Sequence, residues 1–306
     1  MLSYTTVIVT FNRKEAIRNA LLRQFKQTIP AQKIIVVDNH STDGTKEYIQ
    51  DILDKNQDKI KYISLSENLG GSGGFYYGMK AALNENTDLI GISDDDASYD
   101  QDYFEKIIKI AESNSLDMAF CGAMYNNGKL DPTTAKYLIN ENTLRFKSAM
   151  VRDYQHGDFY VDNWSFVGPV FRTKMIKEIG LPNKDFFIWF DDSEYSIRMH
   201  QKGYRYHVVP NAKINLYTKV ISNKTPLWKK YYGFRNEIYS IRKYGKNKKK
   251  ASIYPYYMLL KKYGAIILRE EEYKGRRLKA LKYFNKAFSD GMNGKLGKTF
   301  DPHYSC

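Results

Sequence analysis

Ile34-Ile35-Val36-Val37-Asp38-Asn39-His40-Ser41-Thr42-Asp43-Gly44-Thr45 begins as an unbroken apolar run and stops abruptly in polar, turn-forming residues. A run of Ile and Val favours extended backbone, and Asp, Asn, Ser and Gly favour the turn that ends it. Beyond the turn, Tyr48, Ile49, Ile52 and Leu53 recur at helical spacing. The same join repeats on both sides. Residues 4–10 (YTTVIVT) end at Phe11-Asn12-Arg13, ahead of a helical pattern through Ala16, Ile17, Ala20, Leu21 and Leu22. Residues 60–65 lead into Asn68 and a glycine cluster, residues 79–85 read as helix, and Leu89-Ile90-Gly91-Ile92 precedes Asp94-Asp95-Asp96. Strands that are apolar throughout and alternate with helices belong to an α/β fold, with a mostly parallel sheet flanked by helices. In such sheets ligands bind beyond the carboxyl ends of the strands, where these polar clusters fall.

Further on, Met118–Tyr125 reads as a strand, 173–179 and 192–202 as helices, and Tyr204–Val209 as a closing strand. Gly203 stands where a helix ends. Beyond residue 216 the chain turns into basic-aromatic helices. Residues 216–306 hold 22 Lys and Arg against 6 Asp and Glu, whereas residues 1–215 hold 26 against 28. The net charge of +14 therefore lies in the last third. This predicts two regions, 1–215 and a basic, aromatic-rich helical extension at 216–306. Cys121 and Cys306 are too few and too far apart for a disulfide framework or zinc cluster and suit a reducing compartment. The N-terminus lacks signal-peptide features, and no apolar run is long enough to span a membrane. A cytoplasmic protein is expected.

Two kinds of cluster carry chemistry. Asn68-Leu69-Gly70-Gly71-Ser72-Gly73-Gly74-Phe75 fails both the dinucleotide fingerprint and the phosphate-loop pattern, since Tyr76 and Met79-Lys80 stand in the deciding positions. Its glycines either form a flexible turn or let backbone N–H groups approach an anion at a helix start. Asp94-Asp95-Asp96 is either a solvated acidic turn or a cation site. Alternate side chains of an extended segment share a face, which puts Asp94 with Asp96, and hard carboxylate oxygens suit Mg²⁺ or Mn²⁺ shared with phosphates. Asp191-Asp192-Ser193-Glu194 opens a helix, where acidic residues also act as caps. It follows Phe186-Phe187-Ile188-Trp189-Phe190, and aromatic surroundings raise a carboxyl's pKa towards that of a general base.

Together these motifs, over about residues 5–215, resemble family-2 glycosyltransferases of the GT-A nucleotide-sugar-binding fold. The resemblance rests on Val9–Arg13, Val36–Thr45, the acidic triplet, and Asp191-Asp192-x-Glu194 followed by Arg198 and Gly203-Tyr204. The segment 68–75 and the Trp189-x-Asp191-Asp192 spacing are similar to bacterial galactofuranosyltransferases. The resemblance implies that Thr10, Asn12, Arg13 and Asp38 line the nucleotide pocket, and that Asn68, Gly70, Gly71, Gly73 and Gly74 contact the donor. Asp94 and Asp95 would bind the nucleotide sugar, and Asp94 and Asp96 the divalent metal, Mn²⁺ or Mg²⁺. Asp192 would be the catalytic base of an inverting reaction, with Asp191 and Glu194 supporting it or binding acceptor. Trp164 and Trp189 would form a stacking wall for an acceptor sugar, the alternative for each being an ordinary core aromatic.

One position departs from the family pattern. Where relatives supply a histidine to the metal, this chain has Leu216, so metal dependence is left open. His207 lies earlier, in the predicted strand, and reads as structural. Lys213 or Lys219 would be alternative sources of positive charge. The implied donor is UDP-galactofuranose, with dTDP-rhamnose the neighbouring choice. The implied acceptor is a glycan or a polyprenyl-diphosphate-linked sugar in bacterial surface polysaccharide synthesis. The basic extension is read as docking on an anionic membrane, which makes the protein peripheral at the inner face of the cell membrane. A plain solvated helical face is the alternative, and nucleic acid is not the expected partner, because no RNA-binding signature is present. A different class, a polyanion-binding protein on the same fold without catalysis, predicts salt-sensitive binding and no turnover.

Overall fold

The computed structural model describes residues 1–216, 225–268 and 270–300. The strands are β1 (Tyr4–Thr10), β2 (Lys33–Asp38), β3 (Ile60–Ser64), β4 (Leu89–Asp94), β5 (Ser98–Tyr99), β6 (Ala119–Asn126), β7 (Lys129–Leu130), β8 (Lys136–Asn140), β9 (Arg145–Ser148), β10 (Phe159–Val161), β11 (Val170–Arg172) and β12 (Tyr206–Leu216). The helices of the first two-thirds are α1 (Lys14–Gln24), α2 (Thr45–Tyr48), α3 (Gln50–Lys55), α4 (Gly70–Ala82), α5 (Tyr103–Ser113), α6 (Thr173–Ile179) and α7 (Asp191–Gln201). Those of the last third are α8 (Leu227–Tyr244), α9 (Lys248–Leu268), α10 (Glu270–Tyr273) and α11 (Arg277–Met292).

The main sheet runs β10-β12-β6-β11-β4-β1-β2-β3. β3, β2, β1 and β4 are mutually parallel, as the apolar runs predict, and β12 is parallel to β6. β11, which carries no marked sequence signal, lies antiparallel between β4 and β6. Alternation along β1 decides which helix each residue meets. Val7 and Val9 face α4, whose Phe75 and Met79 join them in one buried cluster. Tyr4 and Ile8 face the other way, towards Ile17 and Leu21 of α1 and Phe104 and Ile107 of α5.

The glycine cluster is not a loop. It is the first two turns of α4, which begins at Gly70 rather than near residue 79. Gly74 and Gly78, four residues apart, lie on the face that meets the sheet. A Cβ on Gly74 would stand 2.4 Å from Val9 Cγ1, and one on Gly78 2.2 Å from Val7 Cγ1. These glycines therefore let the helix axis approach the sheet. Gly74→Ala would gain about 1 kcal/mol of helix propensity, but overpacking against Val9 costs roughly 1–3 kcal/mol. A net loss of stability should follow, read as a lowered urea midpoint. An unchanged midpoint would mean that α4 can lift away from β1 at no cost.

The last third is part of the same packed body. Phe234, Ile238 and Ile241 of α8, Met258 and Ile266 of α9, and Phe284 and Ala287 of α11 share a core with Leu144, Phe187 and Ile197 of the preceding region. The expected boundary at 215 falls one residue short of the end of β12. That strand runs on to Leu216 through an irregularity between Val209 and Lys213, longer than the sequence predicts. Cys121 is a buried thiol in β6. Lys219 and Cys306 lie outside the described residues.

Candidate active site

A cleft of about 400 Å³ opens at the carboxyl ends of β1 and β4. Thr10, Phe11 and Arg13 come from the end of β1, Asn39 from the end of β2, and Asn68, Gly70 and Gly71 from the start of α4. Asp94, Asp95 and Asp96 follow β4, and Phe187 and Ile188 come from the turn before α7. Trp228 and Lys229, from the first turn of α8, complete the wall.

The acidic triplet is ordered by β1. Thr10 Oγ1 donates to Asp95 Oδ2 at 2.6 Å, and Arg13 bridges Asp95 (3.1 Å) and Asp96 (2.8 Å). Burial raises the Asp95 carboxyl to about 6, against the pull of Thr10 and Arg13. Asp94 is raised well above its ordinary value by burial, then by the neighbouring charges of Asp96, Asp95 and Asp191. Four carboxylates thus crowd a site where Arg13 is their main counter-charge. That arrangement fits a divalent cation, which would relieve their repulsion. Among the described residues no group of three or more His, Cys, Asp and Glu is arranged to hold a metal. Asp94 and Asp96 would therefore need phosphate oxygens or water to complete a coordination sphere.

Several expected positions are corrected. Asp38 is buried, accepting from Ser41 N at 2.8 Å and from the Tyr62 hydroxyl, so its carboxylate anchors the turn after β2. Asn12 ties two loops together, accepting from Thr42 N at 2.7 Å while its own N–H donates to Ser41 Oγ. Gly73 and Gly74 pack on Leu69 and Val9 and leave Gly70 and Gly71 at the cleft. Gly70 N–H donates to Asn68 Oδ1 and Ser72 N–H to Phe187 O, so two amides of this helix start serve internal bonds rather than a ligand. Trp164 is 0% exposed, its indole donating to Val167 O, which fits a core aromatic and not a stacking wall. Glu194 is buried against Arg198 at 3.0 Å and the Tyr244 hydroxyl, a structural pairing. Leu216 packs partly buried beside the core, and His207 lies between Asp117 and Asp158. Lys213 stacks over Tyr125, whereas it is Lys229 that lines the cleft.

The turn before α7 holds unusual backbone. Phe187, Trp189 and Phe190 all have positive φ (69°, 64° and 71°), a costly conformation for aromatic residues. It is held from both sides. Phe187 O accepts from Ser72 N, and it sits so close that a Cβ on Gly70, itself at φ 72°, would meet it at 1.9 Å. From α8, fully buried Asn236 donates through Nδ2 to Phe186 O (3.0 Å), Ile188 O (3.1 Å) and Trp189 O (2.8 Å), and Arg235 donates to Phe186 O (3.0 Å). The turn delivers Asp191 and Asp192 to the start of α7. Burial, then the charge of Asp192, raises Asp191 to about 7, and burial also raises Asp192. Asp191 is the member whose charge reaches Asp94, while Asp192 is half-buried and within the field of Lys136. Trp189 is 42% exposed and lies against Gly233, at the wall of a second cleft with Phe234, Glu237, Lys230 and Lys262.

A mostly parallel sheet carrying an acidic triplet after β4 and a carboxylate pair beside it defines a GT-A glycosyltransferase fold. Two solved structures share it. One, titled GalNAc-T7 with UDP, GalNAc and Mn²⁺, has a TM-score of 0.65 at 13% identity, covering 96% of this chain and 56% of that one. The other, S. aureus TarS residues 1–349 with UDP-GlcNAc, has a TM-score of 0.61 at 16% identity, covering 96% and 84%. The glycosyl transferase family 2 model matches residues 5–173, and the chain belongs to that family. It is 27% identical over 204 residues to galactofuranosyltransferase GlfT1 of Mycobacterium tuberculosis (strain ATCC 25618 / H37Rv), spanning 66% of each protein. It is 23% identical over 249 residues to the dTDP-rhamnosyl transferase RfbF of Shigella flexneri, spanning 78% of this chain and 79% of the relative.

Proposed function

We propose that the protein is an inverting glycosyltransferase that moves galactofuranose from UDP-galactofuranose to a glycan or lipid-linked acceptor in bacterial surface polysaccharide synthesis. The observation that carries the reading is one cleft joining the acidic triplet, the start of α4 and the strained turn that delivers the Asp191–Asp192 pair. The donor choice is supported by the likeness to GlfT1, and the likeness to RfbF makes dTDP-rhamnose the second reading. Asp192, half-buried in the first turn of α7, takes the proton of an acceptor hydroxyl. The resulting oxygen attacks the anomeric carbon, and the bond to the diphosphate breaks on the opposite face with inversion. Arg13 and Lys229 offset charge gathering on the departing diphosphate. Bound by Asp94 and Asp96 with the donor's phosphate oxygens, Mn²⁺ or Mg²⁺ would add Lewis-acid stabilisation of that charge. Trp189 and the cleft beside it receive the acceptor, a reading supported by the exposed indole at that cleft's wall. The membrane face follows from a lipid-linked acceptor. No helix among the described residues is long and apolar enough to cross a membrane.

The test is release of nucleoside diphosphate from a panel of UDP- and dTDP-sugars with Mn²⁺, Mg²⁺ or EDTA. Release from UDP-galactofuranose, lost in Asp96→Ala, is the outcome the reading requires. Release only from dTDP-rhamnose selects the second reading. Lys229 offers a sharper check. Its ammonium is half-buried, is held below its usual value by burial and then by Arg13, and forms no ion pair with another described residue. A charged hydrogen bond contributes about 1.5–3 kcal/mol, so Lys229→Ala should lower kcat/KM for the donor by roughly 10- to 100-fold. Lys229→Arg should recover part of it. An unchanged kcat/KM in the alanine variant removes Lys229 from the diphosphate site.

A further inference from the structure

Helix α9 has two apolar faces. Ala251, Pro255, Met258 and Ile266 point inward, buried against α8 and α11. Ile253, Tyr257, Leu260, Ile267 and Leu268 point the other way, each between 48 and 83% exposed, and Tyr256, 54% exposed, stands at their edge with its ring against Phe288 of α11. At 100° per residue the first five fall within a single stripe along the helix. Lys249 and Lys250, both exposed, continue the stripe at its N-terminal end. At the other end, Arg277 of α11 donates to Ile267 O, which brings its neighbour Leu278, 78% exposed, beside the end of the stripe. Lys261 lies over the ring of Tyr257 along its edge.

We propose that this face of α9, with Leu278, docks on an anionic lipid bilayer. A contiguous exposed apolar surface of this kind needs a cover, and its charged rim decides which. A second copy of the chain would bring lysines and arginines against lysines and arginines, with exposed Glu271 far outnumbered. A bilayer carrying acidic headgroups matches instead: leucine and isoleucine enter the acyl boundary, tyrosines sit at headgroup depth and the flanking cations meet phosphates. This deepens the proposed function and rests on it only for the acceptor being lipid-linked. α9 packs on α8, the helix that brings Trp228 and Lys229 to the cleft, so docking would hold the active site beside a membrane-bound substrate.

The experiment is co-sedimentation of the full chain with vesicles of phosphatidylglycerol and phosphatidylcholine, or of phosphatidylcholine alone, at low and high salt. The double variant Leu260→Glu/Ile267→Glu changes only exposed positions and should fold normally. Its urea unfolding midpoint, measured without vesicles, should match the parent and serves as the folding control. Binding to the acidic vesicles, weakened by salt and at least tenfold weaker in the variant, is the outcome the proposal requires. No binding by the parent, equal binding to neutral vesicles, or equal binding by the variant would overturn it. So would light scattering that shows a dimer which the variant dissociates. Because vesicle binding needs no sugar transfer, failure of the proposed reaction would leave this result standing, and the reverse also holds.

Discussion

Asp192→Asn should lower transfer by about 10²- to 10⁴-fold in kcat, the usual contribution of a positioned general base, while leaving donor affinity near that of the parent. The substitution is close to isosteric. The amide oxygen it introduces could still accept the bond that Asp192 Oδ1 takes from Ser193 N at 2.5 Å, so the start of α7 should survive. What the variant loses is the ability to hold a proton. Burial raises the parent carboxyl, and a base must be unprotonated to act, so parent activity should fall as pH drops through that raised value. The residual activity of the variant should lose this acidic limb. Asp191→Asn is the informative partner. Its carboxyl interacts with Asp94, so its replacement should appear first in donor affinity. A fully active Asp192→Asn enzyme with a crippled Asp191→Asn counterpart would transfer the role of base to Asp191.

The second strong effect comes from a residue that touches neither substrate. Asn236 donates to three carbonyls of the turn at 186–189, within a segment where three aromatic residues hold positive φ. Each such residue costs about 1–3 kcal/mol, a cost its surroundings must offset. Asn236→Asp keeps the shape, removes the donors and aims a carboxylate at those carbonyls. Phe186 O keeps its bonds from Arg235 and Ile188 N, but leaving the Ile188 and Trp189 carbonyls unpaired costs about 1–3 kcal/mol each, so a total loss of roughly 2–6 kcal/mol is expected from urea unfolding. Where the protein stays folded, kcat should drop with it, because the turn positions Asp191 and Asp192. Parent-like stability and kcat in Asn236→Asp would show that α8 merely leans against the turn.

The parallel half of the sheet was legible because its strands are buried on both faces and end in turn residues. The gathering of the acidic triplet with Asp191 was legible for a related reason, since adjacent carboxylates rarely persist without a partner. The glycines misled because glycine is a poor helix former. Their use in α4 depends on how close Val7 and Val9 come, a tertiary fact absent from local sequence. Asp38 and Trp164 were assigned ligand-facing roles and Glu194 a supporting or acceptor-binding one, whereas the structure ties the three inward to Tyr62, Val167 and Arg198. Asn39, Trp228 and Lys229 were missed. A single Trp-Lys pair within a lysine-rich third carries no periodic signal, and only the packing of α8 brings it to the cleft.

The grip of α8 on the turn before α7 has a consequence for how such enzymes can diversify. A chain whose Asp191–Asp192 pair depended only on its own strands could exchange its C-terminal third freely by recombination. Here Arg235 and Asn236 must match a main-chain shape encoded far upstream. A grafted tail lacking that match would leave the turn that carries Asp191 and Asp192 without its support. Tail and turn should therefore be inherited as a pair, and a chimera that exchanges the tail should carry residues 186–190 together with the helices that follow.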